Sequence, residues 1–197
     1  MHHDRLTIRG RPTPKQCIAL LLIALALLTA SLGACADQRQ LTGTVVWVAD
    51  GDSFELADEY GERFEVRIAG IDAPEKGQAF ADRSKRNLMR LIRDQEVRVD
   101  WYKLDRFDRY VGKVWVRPPD GTCRGAGCPK TLDVAMAQLT QGLAWYFDRF
   151  ADEIPAEDRV RYADAEHEAR ARRAGLWRDG RPMPPWQWRD ERRRDRN

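Results

Sequence analysis

Histidine is nearly missing: three in 197 residues, two of them at positions 2 and 3, which leaves His167 as the one imidazole in the rest of the chain. That scarcity removes the His base, the multi-His metal cluster and the Ser-His-Asp triad from the available chemistry. His167 itself sits in a polar helical pattern, Tyr162-Ala-Asp-Ala-Glu-His-Glu-Ala-Arg-Ala-Arg-Arg, and reads as a solvated side chain. A net charge is also lacking where it would matter. The formal total is +3, from 34 basic and 31 acidic residues, but Arg5, Arg9, Arg11 and Lys15 face only Asp4 before Cys35. The remainder is balanced, so bulk charge names no partner, and attraction to an anion must come from local arrangement. Gly (14) and Pro (10) are at ordinary levels, which excludes a low-complexity or collagen-like chain.

No hydrophobic run is long enough to span a bilayer, which takes roughly 20 residues. The apolar stretch Cys17–Leu28 is shorter, follows a basic segment, and fits the core of a signal peptide over residues 1–34. It closes with Leu32-Gly33-Ala34-Cys35, which resembles a bacterial lipoprotein cleavage site, where Cys35 would be lipidated and become the new N-terminus. The alternative is an ordinary secretory leader cut near Ala36. Either way the mature part, about 160 residues, is expected to be exported and to fit one domain. A lipidated chain would be held at a membrane facing the periplasm or exterior, tethered through residues 35–40, and is expected to act as a monomer.

Only four cysteines occur, and Cys123 and Cys128 flank Arg-Gly-Ala-Gly in a loop that follows Pro118-Pro119-Asp120-Gly121. In an oxidising compartment they are expected to form a local disulfide. Zinc is the alternative, but it usually wants four ligands and no second Cys pair exists.

The order of elements comes next. Leu41–Val48 is β-branched and alternating, and Asp50-Gly51-Asp52 turns it into a second strand at Ser53–Leu56. Arg63–Ile68 alternates, with Phe64, Val66 and Ile68 on one face and Arg63, Glu65 and Arg67 on the other. Further strands are expected at Glu96–Trp101 and Arg109–Val116. Helices are expected near Gln78–Arg93, Asp133–Gln141 (with Gly142 as its stop) and Glu157–Arg173. Short strands crowd the first half and helices the second, so the fold class is mainly β with helices (α+β), a small barrel carrying about three helices.

Charged groups gather at strand ends in three places: Asp50-Gly51-Asp52-Ser53, Arg67-Ile-Ala-Gly-Ile-Asp72-Ala73-Pro74-Glu75, and Asp105-Arg106-Phe107-Asp108-Arg109-Tyr110-Val111-Gly112. Singly, each is a common turn or surface pair. Together, carboxylates from separate loops suit a hard cation such as calcium, which takes oxygen ligands. Arginines beside it suit a phosphate held by bidentate hydrogen bonds.

With these motifs in their order and spacing, the region from Leu41 to Trp177 resembles the staphylococcal (micrococcal) nuclease family. The resemblance implies a five-stranded OB-fold barrel and a calcium-dependent endonuclease acting on DNA and RNA to leave 3′-phosphates. It places Asp52 and Asp72 on the metal carboxylates and Ala73 on the residue lending a backbone carbonyl. Arg67 and Arg109 fall on the catalytic arginines and Glu75 on the catalytic glutamate. Asp108 stands where the family usually has Gly, and an acid there can pair with Arg109 or bend the loop. Ser53 replaces a frequent Thr, and the loop after Glu75 is short.

Phosphate contacts position a strand without reading its bases, so low sequence specificity is expected. Single strands should be favoured, because an OB barrel holds unstacked bases against aromatics; Phe107 and Tyr146 are candidate platforms. The stretch 178–197, with Trp186, Trp188 and arginines after Gln187, reads as a segment docked by its tryptophans with a solvated end, or as a Trp/Arg arm for nucleic acid. The functional alternative is an OB-fold module that binds nucleic acid or protein without cutting it.

Overall fold

The barrel is built from five strands: β1 (Gln40–Val48), β2 (Ser53–Ala57), β3 (Arg63–Ile68), β5 (Glu96–Leu104) and β6 (Tyr110–Val116). The computed structural model describes residues 39–119, 123 and 127–196. The proposed leader, Cys35 and most of the tether therefore lie outside the described residues. Strand order is β3-β2-β1-β5-β6, antiparallel throughout, and a parallel pairing of β3 with β6 closes the barrel. This is the five-stranded OB-type barrel of the sequence reading, each strand starting or ending within a few residues of its expected bounds.

Alternation explains the closure. Val45, Leu56, Val66, Ile68, Val97, Val99, Val114 and Val116 all point inward and are at most 1% exposed. Each such burial is worth about 1.5–3 kcal/mol. Strain is relieved where the sheet bends: the register of β1 against β2 shifts between Val45 and Trp47, and that of β5 against β6 between Trp101 and Lys103. Gly112 sits at the second bend, where a Cβ would lie 2.6 Å from the Asp100 carbonyl oxygen and from Trp101 Cα. Only a residue without one lets the strands approach.

Two-residue strands complete the frame: β4 (Ile71–Asp72) pairs with β8 (Trp145–Tyr146), and β7 (Leu132–Asp133) pairs with β6. Among the described residues there are four α-helices. α1 (Ala81–Ile92) lays Ser84, Asn87, Leu88 and Ile92 against the barrel. α2 (Val134–Thr140) is capped by Asp133, whose side chain accepts from the Met136 amide, and it stops at Gly142, φ +62°. α3 spans Ala156–Ala171. α4 (Pro185–Arg194) opens on Pro at its first turn, where the missing N–H costs nothing.

α4 is the element the sequence reading did not contain. Trp186 packs against Phe147 with ring centroids 5.3 Å apart and joins a second apolar cluster with Trp145, Leu176 and Trp177. Gln78 Nε2 donates to the Met183 carbonyl at 2.5 Å. The C-terminal segment is thus docked by its tryptophans, and from Arg39 onward the chain is one compact unit. Cys123 and Cys128 are disulfide-bonded, with Cα atoms 5.7 Å apart.

Candidate active site

Local chemistry shapes the turn between β1 and β2. The Asp50 carboxylate accepts from the amides of Asp52 (3.0 Å) and Ser53 (2.8 Å), a side-chain-closed turn that aims Asp52 inward. Gly51 is required beneath it, because a Cβ would lie 1.8 Å from Ser84 Oγ. From below, the buried Gln138 donates to the Gly51 carbonyl at 2.6 Å and accepts from Asn87 Nδ2 at 2.6 Å, so α1 and α2 together fix the turn.

Asp52 and Asp72 are almost fully buried, at 3% and 1% exposure. Asp52 Oδ1 accepts from Ser53 Oγ (2.8 Å) and Arg67 Nη1 (3.0 Å), while Oδ2 accepts from the Ala73 amide (2.8 Å). Arg67 Nη2 continues to the Ile71 carbonyl (3.3 Å) and to Asp72 Oδ1 (3.4 Å). The pairing of β4 with β8 holds Asp72 in place. The β3–β6 closure sets Arg67 opposite Val111, two residues from Arg109, so the pairing that closes the barrel brings the two arginines to one cleft.

Arg109 is not paired with Asp108. Its Nε and Nη2 donate to Asp105 Oδ2 at 2.9 and 2.7 Å, and Asp105 Oδ1 also accepts from the Phe107 and Arg109 amides. Asp108 instead takes the left-handed conformation, φ +60°, which is the turn position where a Gly is easiest and Asp is among the tolerated alternatives. The acid at 108 therefore bends the loop and leaves Arg109 to Asp105.

Asp52, Arg67, Ala73, Glu75, Arg109 and Phe107 line one cleft of about 700 Å³, with Asp72 behind Arg67. Phe107 is 60% exposed, with the Arg109 and Arg106 guanidinium carbons 5.5 and 4.7 Å from its ring centre. Tyr146 is half-buried against the core and does not line the cleft; Phe147 and Phe150 do.

Lys103, Phe150, Glu153 and Arg189 also line the cleft and were not foreseen. Arg189 of α4 reaches back to the carboxylates, its Nη1 and Nη2 meeting Asp72 Oδ1 and Oδ2 at 3.1 and 2.7 Å, and its Nη1 meeting Glu75 Oε1 at 2.6 Å. No local pattern links residues 117 positions apart, so only the docking of Trp186 and Trp188 could have pointed to it.

The electrostatics are acid-rich. Burial, then the neighbouring Asp52 charge, pushes Asp50 up to about 7. Burial likewise raises Asp72, against the opposing hydrogen bonds of Arg189. The Asp52 carboxylate, outweighing burial, raises Arg67 above its ordinary value. Burial opposes the charge on Arg189, but Asp72 and Glu75 more than reverse it and hold it firmly protonated. Asp105 is lowered: burial works against its charge, and the donors from Arg109 and Phe107 overcome it.

Among the described residues no group of three or more His, Cys, Asp and Glu side chains is placed to hold a metal. The donors at hand are two buried carboxylates and the backbone of Ala73, all hard oxygens with no imidazole or thiolate near. They fit an oxygen-seeking cation rather than zinc.

Residues 65–179 match the family model described as staphylococcal nuclease homologue. The chain is 38% identical to Protein ParB of Escherichia coli over 85% of its own length and 88% of that protein's. It is 33% identical to a micrococcal nuclease of Shigella flexneri, with 84% and 88% of the two chains covered. It is 31% identical to an uncharacterized endonuclease of Haemophilus influenzae, over 86% and 84%. With the motif residues gathered in one cleft of the expected barrel, the chain belongs to the staphylococcal nuclease family and is a phosphodiester hydrolase of that kind.

Proposed function

We propose that the protein is a calcium-dependent endonuclease that hydrolyses DNA and RNA with little sequence preference and leaves 3′-phosphates. The observation that carries the reading is the convergence of Asp52, Arg67, Glu75 and Arg109, from four separate segments, on one cleft, with Asp72 bonded to Arg67 behind it. A module that only bound nucleic acid would gain nothing from buried carboxylates facing a polyanion, since these repel phosphate unless a cation stands between.

Asp52, Asp72 and the Ala73 carbonyl would hold the cation, which supplies charge neutralisation at a phosphate oxygen and orientation of the diester. The rest falls to side chains of the chain itself. As water attacks phosphorus, negative charge grows on the equatorial oxygens, and prearranged donors there lower the barrier. Arg67, held by Asp52 and Asp72, meets the phosphate oxygens with the donors those carboxylates do not take. Arg109, held by Asp105 at the mouth, meets the oxygens on the other side and the departing 5′ oxygen. Glu75 orients the water and accepts its proton. Phe107 and Phe150, both exposed at the cleft, offer ring faces for unstacked bases, which favours single strands.

Digestion of plasmid by the purified mature protein tests the reading. Chelator should abolish cutting and calcium should restore it; full activity in chelator would overturn the metal assignment. Leu32-Gly33-Ala34-Cys35 supports export and lipid anchoring at a membrane. Mass spectrometry of membrane-fractionated protein should find a lipidated N-terminal Cys35, and a soluble product beginning beyond it would refute the anchor.

A further inference from the structure

Beyond Glu75 the cleft continues into a second hollow of about 270 Å³, and the two share Glu75 and Arg189 in their walls. Arg192, Arg193, Arg196 and Lys76 line this hollow together with Trp188. With the 3.6-residue period of α4 continued through Asp195 and Arg196, the turn just past its end, Arg189, Arg192, Arg193 and Arg196 fall within about 100° of arc, while Asp190, Glu191 and Asp195 fall outside it. The apparent charge balance of this segment in the sequence thus resolves, once it is helical, into one cationic face turned toward the cleft.

Local contacts hold that face in shape. Arg196 Nε donates back to the Arg192 carbonyl at 3.1 Å, and the Arg192 guanidinium lies 5.7 Å from the centre of the Trp188 ring. Arg193 pairs with Asp190, its neighbour one turn earlier. Arg192, Arg193 and Arg196 are exposed, and α4 is anchored to the barrel by Trp186 and Gln78, so the face is carried on a fixed element.

We propose that this face of α4 is a phosphate-binding strip for the nucleic-acid strand beyond the scissile bond. The inference rests on the reading of the cleft as a nuclease site and adds where the strand goes when it leaves. A strand in the cleft runs past Asp50, Asp52 and Glu75, whose field opposes its phosphates, and the arginines stand immediately beyond Glu75. Guanidinium forks match phosphate oxygens of DNA and RNA alike and read no base. Binding there is sequence-independent and salt-sensitive.

The test is the triple variant Arg192→Ala/Arg193→Ala/Arg196→Ala, which spares Arg189. Affinity for a labelled single-stranded oligonucleotide is followed by fluorescence anisotropy in chelator across a salt series, with the thermal midpoint as fold control and plasmid digestion in calcium alongside. The expected result is an unchanged midpoint, Kd raised on the order of tenfold at low salt, and a log Kd against log salt slope shallower by about 2. If the wild type cuts but the variant keeps both Kd and slope, the strip is overturned and the nuclease reading stands. If the wild type cuts nothing yet shows the variant-sensitive slope, the strip stands and the nuclease reading falls. Loss of binding to anionic vesicles with oligonucleotide binding intact would also overturn it, assigning the arginines to a membrane surface.

Discussion

Two buried ion networks sit in this molecule, built from the same residue types and put to different ends. In the first, Lys113 Nζ lies 2.6 and 2.7 Å from the Asp158 oxygens and 3.3 Å from Asp133, tying β6 to α2 and α3. Arg161 adds a contact to Asp158 at 3.3 Å, and Tyr162 donates to Asp133 at 2.9 Å. Burial, then the Asp133 charge, raises the Tyr162 phenol and keeps it neutral, with its proton on the Asp133 carboxylate's side. Two cations meet two carboxylates, and neither Lys113 nor Asp158 lines the cleft.

In the second, four acids, Asp50, Asp52, Asp72 and Glu75, face two cations, Arg67 and Arg189, at one side of the cleft. Balance and enclosure make the first a brace; a local surplus of acid at an opening is what the proposed cation would answer in the second. A buried pair by itself says little about purpose, since desolvation offsets much of its attraction. The net charge and the neighbouring cleft distinguish the two.

The largest effect is expected in the brace. Lys113→Met removes the buried cation shared by Asp133 and Asp158, leaving Asp158 only the half-exposed Arg161, and should cost about 3–5 kcal/mol in denaturant unfolding, with kcat unchanged below the transition. Lys113→Met with Asp158→Leu should recover a large part of that loss; a double variant as unstable as the sum of the singles would break the comparison. Next comes Arg67→Lys, which keeps the charge and loses the fork. It should lower kcat by about 10²–10³-fold, or about 2.7–4 kcal/mol, with a much smaller change in substrate binding. An unchanged kcat would remove Arg67 from the chemistry. The smallest effect belongs to Arg189→Gln. Freeing Asp72 and Glu75 from a half-exposed partner is worth about 1 kcal/mol, so calorimetry should find calcium bound roughly fivefold tighter. Weaker binding would show that Arg189 organises the carboxylates rather than competing for them.

Much of this was legible in advance. Alternation marked β3 and its split into a buried face and one carrying Arg67, and Asp-Gly-Asp marked the turn that presents Asp52. Those signals are local, because strand period and turn chemistry are written in neighbouring residues. The three charged clusters were visible for the same reason. The buried support was not: Gln138 and Asn87 read as ordinary polar residues on helices, and nothing near them announces that they carry the Gly51 carbonyl. The pairing of Arg109 with Asp105 was within reach, four residues apart in a tight loop, yet Asp108 stood closer in sequence. Its left-handed backbone turns it out of the pairing.

The sequence by itself determined the barrel and the family, and it named Asp52, Arg67, Glu75 and Arg109, which line one cleft, because each is specified by period, turn or motif over a few residues. Tertiary structure alone decided which charges meet. The parallel β3–β6 closure brought Arg67 and Arg109 to one cleft, and the docking of Trp186 against Phe147 carried Arg189 onto Asp72 and Glu75. These are contacts between distant segments, held by apolar burial that fixes elements in place without being addressed to the polar groups it brings together.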